Sequence, residues 1–327
     1  MIKLGQIGIG HNHGHEKMTT AQKFPELFEI VGYAEENEEW IRRRGEKPGY
    51  RNLPRMSVEE IIEKSDAVLI ESDVWDLTKY AQMCIDAGKH IHMDKPASGT
   101  LEEYKKLLDT AKEKNLVVQL GYMYRYNPAI LKTLDMIKKG ELGKVNSILA
   151  EMSIWHTPAY RKWLGNFQGG DMYIFGSHLI DLIVYILGKP KKVHSSIIAP
   201  DLTAAILEYE DAVARVFSSS REWDGWARRC FSVAGELGTV NIQPIEDPCI
   251  MTFAPMHPQK RACVQMARPV ELPPQSNSAR YDDMIKDFYA YIKGTKTNPF
   301  TYEHDYMVQE VLDAACGGIR SLGKELE

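Results

Sequence analysis

The densest chemistry in the chain lies in His90-Ile91-His92-Met93-Asp94-Lys95-Pro96. Ile91 and Met93 alternate with polar neighbours, which is strand patterning. Pro96 restricts Lys95 to extended or turn backbone, so the lysine leaves the strand end in a set direction. Such a lysine can bind an oxygen that gains negative charge, although a surface loop lysine is the plainer reading. Earlier, Gly8-Ile9-Gly10 runs into His11-Asn12-His13-Gly14-His15. A glycine turn between strand and helix lets backbone approach a pyrophosphate at a helix N-terminus. The third position of a GxGxxG pattern holds His13, and Gly14 comes one residue late. Glu35 ends a second apolar run; a carboxylate there accepts ribose hydroxyls and repels a 2′-phosphate, favouring NAD over NADP. His11, His13 and His15 also alternate as metal ligands would on extended backbone, the start of a metal-dependent hydrolase site. No later His and Asp cluster completes that site.

These residues need elements to hold them. Apolar runs at Ile2–Ile9, Phe28–Ala34, Asp66–Ile70, His90 onward and Leu116–Leu120 read as strands. Helical stretches follow Gly14 and cover Val58–Lys64, Leu77–Ala87 and Leu101–Lys114. Alternating β and α segments with short loops predict a doubly wound parallel sheet, a first domain over residues 1–121. From residue 122 to 327 the pattern changes. Helix Ala129–Lys139 and strand Val145–Ile154 lead to an aromatic loop with Tyr160, Trp163 and Phe167, then to an apolar helix Met172–Leu187. Strands follow at Lys192–Ile198, Ala204–Tyr209, Ala212–Ser219, Ala227–Ala234 and Gly238–Ile242, and helices at Tyr281–Lys293 and Tyr306–Gly323. This is an α+β domain with an open, mostly antiparallel sheet.

Composition narrows the partners. A hydrophobic share of 44%, a charged share of 26% and a net charge of −5 suit a globular chain with no pull toward nucleic acid or anionic membrane. The five cysteines, Cys84, Cys230, Cys249, Cys263 and Cys316, form no CxxC pair. Met1-Ile2-Lys3 leads directly into a strand, and the greasiest run, Leu179–Leu187, contains Asp181 and is too short to span a bilayer. A reducing, cytoplasmic setting is expected.

In order and spacing, several motifs resemble the Gfo/Idh/MocA oxidoreductases, the family of glucose–fructose oxidoreductase and inositol dehydrogenase. They are Gly8-x-Gly10, Ala34-Glu35, Asp66-Ala67-Val68, Ala87-Gly88-Lys89-His90, Asp94-Lys95-Pro96, Gly121 with Arg125 and Pro128, and Gly176-x-His178-x-x-Asp181. The resemblance covers essentially the whole chain. It implies a Rossmann first domain and cofactor contacts from Gly8, Gly10, His11, Asn12, His13, Glu35, Ser72, Asp94 and Lys95. It also implies catalytic roles for Lys95, where Asp94 replaces the family's glutamate, and for His178. The departures are His13 at the third glycine, Leu77 where a histidine is common, and Ile174 where the family supplies a carboxylate near its histidine. Asp171 can share a helical face with His178, or simply cap a helix after Gly169-Gly170.

The chemistry follows from the residue types. Oxidising a secondary alcohol sends hydride to a nicotinamide and a proton to a base. A histidine such as His178 titrates near neutrality and suits the base; a lysine such as Lys95 suits the hydroxyl or developing alkoxide. Tyr124, Arg125, Trp155, His156, Tyr160, Trp163 and Asp171 are candidate substrate contacts, since aromatic faces stack on sugar C–H faces. Core packing or a subunit interface would use the same residue types. The expectation is an NAD-dependent oxidoreductase for a sugar, inositol or glycoside, assembled as a homodimer or homotetramer. A cofactor-binding sensor without turnover is the alternative that Ile174 motivates.

Overall fold

The computed structural model describes residues 1–257, 267–273, 277–317 and 320–321. Two compact units comprise Met1–Met123 with Ser278–Tyr306, and Tyr124–Asn277 with Met307–Glu327. The doubly wound sheet is present in the first unit, in the strand order β3-β2-β1-β4-β5-β6. Its strands are β1 (Ile2–Ile7), β2 (Phe28–Ala34), β3 (Arg55–Met56), β4 (Ala67–Ile70), β5 (His90–Met93) and β6 (Val118–Leu120). The intervening helices are α1 (Gly14–Gln22), α2 (Glu38–Arg44), α3 (Val58–Lys64), α4 (Leu77–Asp86) and α5 (Leu101–Glu113). Ser57 and Thr100 form capping boxes with Glu60 and Glu103, which fixes where α3 and α5 begin.

Register decides what stands at the functional edge. Ile7 pairs with both Ala34 and Ile70, and Ile70 pairs with Met93. The ladder continues one residue past the strands: Gly8 N–H donates to Ala34 C=O, Glu71 to Ile7, Asp94 to Ile70 and Gly121 to Met93. Gly8, Glu71, Asp94 and Gly121 thus form a row along the carboxyl edge, where open α/β sheets bind ligands.

The division between units differs from a break at residue 121. Helix Asp282–Ile292 packs on the first sheet, burying Ile285 and Phe288 with Ile2, Leu4, Phe28 and Leu69. Its buried Met284, Ile285, Phe288 and Tyr291 lie at helical spacing. The Tyr289 ring meets Phe28 edge-on at 5.8 Å.

The second unit begins with α6 (Pro128–Lys138) and β7 (Val145–Ser153), followed by α7 (Pro158–Leu164) and α8 (Ser177–Leu187). Then come β8 (Lys192–Ala199), β9 (Leu202–Glu208), β10 (Val213–Ser219), β11 (Cys230–Gly235), β12 (Gly238–Ile242), β13 (Met251–Pro255), β14 (Arg268–Pro269) and β15 (Arg320–Ser321). They form one nine-stranded sheet, β14-β13-β12-β11-β7-β10-β9-β8-β15. It is antiparallel except where β7 and β10 pair in parallel. Along β9, Thr203, Ala205 and Leu207 are buried, while Ile206 and Glu208 face out.

Several elements depart from expectation: α2, β3, β13 and β14 were not expected, and the strand expected at Ala227–Ala234 begins at Cys230, after a helical turn at Gly225–Arg228. The aromatic loop contains α7, because Thr157 accepts the Tyr160 N–H and Pro158 occupies the first helical turn. The apolar helix opens with a π-helical turn, Met172–Gly176, before α8. The last helix runs Tyr302–Gly317, with its expected end at Gly323 outside the described residues. Cys84, Cys230, Cys249 and Cys316 are in no disulfide, and Cys263 also lies outside the described residues. Among the described residues no helix is long and apolar enough to cross a membrane.

Candidate active site

The glycine turn after β1 is built for close approach. Gly8 has φ +83°, and a Cβ there would stand 2.2 Å from Ser72 Cα. A Cβ on Gly10 would stand 2.8 Å from the Asp73 backbone nitrogen. The late glycine has its own reason. A Cβ on Gly14 would meet Tyr50 Oη at 2.8 Å and Glu71 Cβ at 2.9 Å, so Gly14 gives the close helix–strand packing normally left to the third glycine.

Beside this turn lies a cleft of about 330 Å³ lined by Gly8, Glu35, Asn37, Trp40, Ser72 and Tyr80, among others. Glu35 is fixed there. Its Oε2 accepts the Ile9 N–H at 2.9 Å and its Oε1 accepts the Asn37 N–H at 2.8 Å. Asn12 Oδ1 accepts from Arg44, whose guanidinium also donates to the Ile9 and Gly10 carbonyls and stacks on Trp40 at 4.6 Å. The cleft beside Gly8, with a carboxylate at the end of β2, fits a dinucleotide. Trp40 and Arg44 were not anticipated: Arg42-Arg43-Arg44 is a short basic run of the kind found on solvated helix faces.

Asp94 does not line this cleft. It belongs to a buried cluster at the ends of β1, β4 and β5. Lys17 Nζ donates to Glu71 Oε1 at 2.9 Å and to Asp94 Oδ2 at 2.6 Å. His11 Nδ1 lies 2.6 Å from the same Asp94 oxygen. That distance to a carboxylate requires a proton on Nδ1, so the His13 N–H at 3.5 Å from Nδ1 is a contact rather than a hydrogen bond. Asp94 Oδ1 accepts the backbone N–H of Lys95 at 2.7 Å, and the Lys95–Pro96 peptide is cis.

Burial alone would push the Asp94 carboxyl up, yet His11 and Lys17 overcome it and hold the group well below the usual range. Glu71 is driven the other way, well above its usual value, by burial that Lys17 only partly offsets and by the charge of Asp94. Burial lowers the His11 imidazole against the pull of Asp94, and pushes His92 down to about 3.

The histidine triplet is not a metal site on extended backbone. His11 to His13 form a turn, His13 pairs with Glu16 at 3.5 Å, and His15 sits on α1. Only His11 reaches the carboxylates, where an ammonium already stands.

The second unit holds the other candidates. His178 lies in the first turn of α8, 4% exposed, with its ring centroid 5.2 Å from that of Tyr124. Tyr124 Oη donates to Glu246 Oε1 at 2.5 Å, and Arg229 donates to the same oxygen and to Ser153 C=O. Glu246 and Arg229 were missed in the sequence, being far from Tyr124 along the chain and carrying no motif. Arg125 is not presented to solvent as a hydroxyl-binding arginine would be. Its fork is committed to Asp181, at 3.0 and 2.6 Å, in a buried ion pair.

Asp171 immediately precedes the π-helical turn and is 0% exposed; Ser220 Oγ donates to its Oδ1 at 2.8 Å. Burial raises its carboxyl to about 7. Ile174, in the same turn, is buried and apolar. The His156 ring stacks on Tyr160 at 4.1 Å and on Phe175 at 5.4 Å, and those two rings also meet, at 6.3 Å; burial, then Arg229, lowers the imidazole to about 4. Trp163 packs against Tyr160 and Phe167. Trp155 stacks on Trp223 at 4.9 Å, with both rings exposed.

Residues 2–122 match the family described as "Oxidoreductase family, NAD-binding Rossmann fold", and residues 135–320 match its C-terminal alpha/beta domain. A scyllo-inositol 2-dehydrogenase (NADP(+)) of Bacillus subtilis is 28% identical over 40% of this chain and 37% of that protein. A glucose-6-phosphate 3-dehydrogenase of the same organism is 26% identical over 57% of this chain and 54% of that protein. The chain therefore spans about a third to a half of the length of these relatives. A levoglucosan dehydrogenase structure, in complex with NADH and levoglucosan, shares the fold with a TM-score of 0.81 at 18% identity, covering 99% of this chain and 100% of that one. With both of its halves matched in order, this chain belongs to the Gfo/Idh/MocA oxidoreductase family.

Proposed function

We propose that the protein is an NAD-dependent dehydrogenase acting on a secondary hydroxyl of a sugar, inositol or glycoside. The observation that carries this reading is the alignment, at one carboxyl edge of a parallel sheet, of the Gly8–Gly10 cradle, the Glu35 carboxylate and the Lys95 turn. The names of the related sugar and inositol dehydrogenases support it. Gly8, Gly10 and Ser72 would admit the pyrophosphate, and Glu35 would take the ribose hydroxyls, its charge disfavouring a 2′-phosphate. When bound, NAD supplies the hydride acceptor. Lys95 binds the substrate hydroxyl and stabilises the oxygen as it loses its proton, and His178 accepts that proton. His156, Tyr160, Trp163 and the Trp155 face supply aromatic surface for a pyranose ring, whereas Tyr124 and Asp171 are buried.

Exposed Ile206, Arg215 and Leu149 form a cross-strand row on the open sheet, a face suited to pairing subunits into a dimer or tetramer. The test is a binding titration with NADH and NADPH followed by a panel of sugars and polyols. Tighter NADH binding and NAD reduction with at least one substrate are expected. Lys95→Ala and His178→Ala should each lower kcat by about 100-fold or more with little change in NADH affinity. Normal turnover in either variant would remove that residue's role, and NAD binding without turnover across the panel would favour a sensor.

A further inference from the structure

Lys17 is fully buried in α1, and taking an ammonium out of water costs several kcal/mol unless it is well paired. Its partners are Glu71 Oε1 at 2.9 Å and Asp94 Oδ2 at 2.6 Å. Around it, His11, Glu71 and Asp94 each present a ligand atom, all within 4.8 Å of one another. One imidazole nitrogen and two carboxylate oxygens are a set that holds a divalent cation. Two further buried atoms point to the same place. Glu71 Oε2 has no hydrogen-bond partner among the described residues, nor has His92 Nε2, which lies 3.8 Å from Glu71 Oε1. The space is closely fitted: a Cβ on Gly121 would stand 2.8 Å from Lys17 Nζ and 2.6 Å from Asp94 Oδ1.

We propose that Glu71 and Asp94, with the His11 N–H donating to Asp94 beside them, form a cation cage whose resident cation is the Lys17 ammonium, and that this cation fixes Asp94 beneath the backbone N–H of Lys95. Once its Nδ1 proton is lost, His11 would complete with Glu71 and Asp94 the donors of a metal site; the chain instead fills the place with its own charge. Lys17 is then a positioning residue, acting on Lys95 through the Asp94 carboxylate that accepts the Lys95 N–H. Removing the ammonium leaves room and ligands for a divalent metal, zinc being suited to one imidazole and two carboxylates. The consequence for Lys95 rests on the functional reading above; the cage does not.

The test is Zn²⁺ titration of full-length Lys17→Ala by calorimetry and thermal melting, beside wild type and Lys17→Ala/Asp94→Asn. Metal-free Lys17→Ala should melt below wild type, bind one more equivalent of zinc than wild type, and regain part of the loss. Adding Asp94→Asn should abolish the extra equivalent and the recovery. A metal-free Lys17→Ala as stable as wild type, or one with no extra zinc site, would overturn the proposal. If Lys17→Ala does not fold without metal, Lys17→Met and Lys17→Met/Asp94→Asn decide the matter. The double variant should be the more stable, because Asp94→Asn removes the buried charge that Lys17→Met leaves without its ammonium; equal or lower stability would overturn the cage. An extra zinc site in Lys17→Ala beside a wild type that oxidises no sugar supports the cage and removes the reading of Lys95.

Discussion

Asp171 carries a measurable signature of its burial. Its folded value of about 7 stands above the ordinary 3.8 because desolvation outweighs the Ser220 hydrogen bonds. Between those pH values the unfolded chain has released a proton that the folded chain keeps. Stability conferred by this group is therefore complete below pH 3.8 and falls as pH rises toward about 7, by at most about 1.4 kcal/mol per unit. Asp171→Asn, which keeps an acceptor for Ser220, should flatten this part of the stability curve in denaturant titrations at several pH values. An unchanged slope would mean that the carboxyl is already ionised in the folded state. At this scale the sequence was informative where chemistry and local geometry coincide. Gly8, Glu35 and Lys95 were legible because each closes a strand. Lys17 was not, because a lysine on a nine-residue helix ordinarily faces water. Glu246 and Arg229 were invisible because their meaning is a contact with Tyr124 across the fold.

At the scale of elements, α1 depends on a glycine whose position looked like a defect in the motif. Gly14 lets the helix pack against Tyr50 and Glu71, so Gly14→Ala must push α1 away from the sheet. Overpacking of this kind costs about 1–3 kcal/mol, and it would also displace the Lys17 ammonium and the glycine turn. Gly88→Ala is the control. It has φ +75° and nothing within 4 Å of the added Cβ, so its cost is backbone strain of about 1–2 kcal/mol. Both variants should lose stability in thermal melts, but only Gly14→Ala should weaken NADH binding. Equal loss of affinity in both would show that α1 packing does not shape the cradle. Strand and helix positions were mostly readable from periodicity, as in β2 and α3. The π-helical turn Met172–Gly176 was not, since a π-turn leaves the apolar pattern of a helix intact. Helix α7 was hidden because its aromatic residues read as a loop, although Thr157 and Pro158 are its start signals.

For the whole molecule, chain order and compact units do not coincide. Residues 1–121 supply all six strands of the parallel sheet, yet helix Asp282–Ile292 completes its core. Met284, Ile285 and Phe288 are fully buried there, and at about 1.5–3 kcal/mol per large apolar side chain they contribute on the order of 5 kcal/mol or more. Polar anchors add to this: Gln119 Nε2 donates to Met284 C=O, and Lys23 pairs with Asp282 at 2.8 Å. A contribution of that size rivals the total stability of an ordinary domain. The alternation of strands and helices made the first domain readable, but nothing local ties a helix near residue 285 to a strand at residue 28. A fragment of residues 1–123 should therefore unfold without cooperativity and bind NADH poorly. The same fragment joined by a flexible linker to residues 278–306 should melt cooperatively and regain NADH affinity. Cooperative folding of residues 1–123 alone, with full NADH affinity, would show that the returning helix is dispensable.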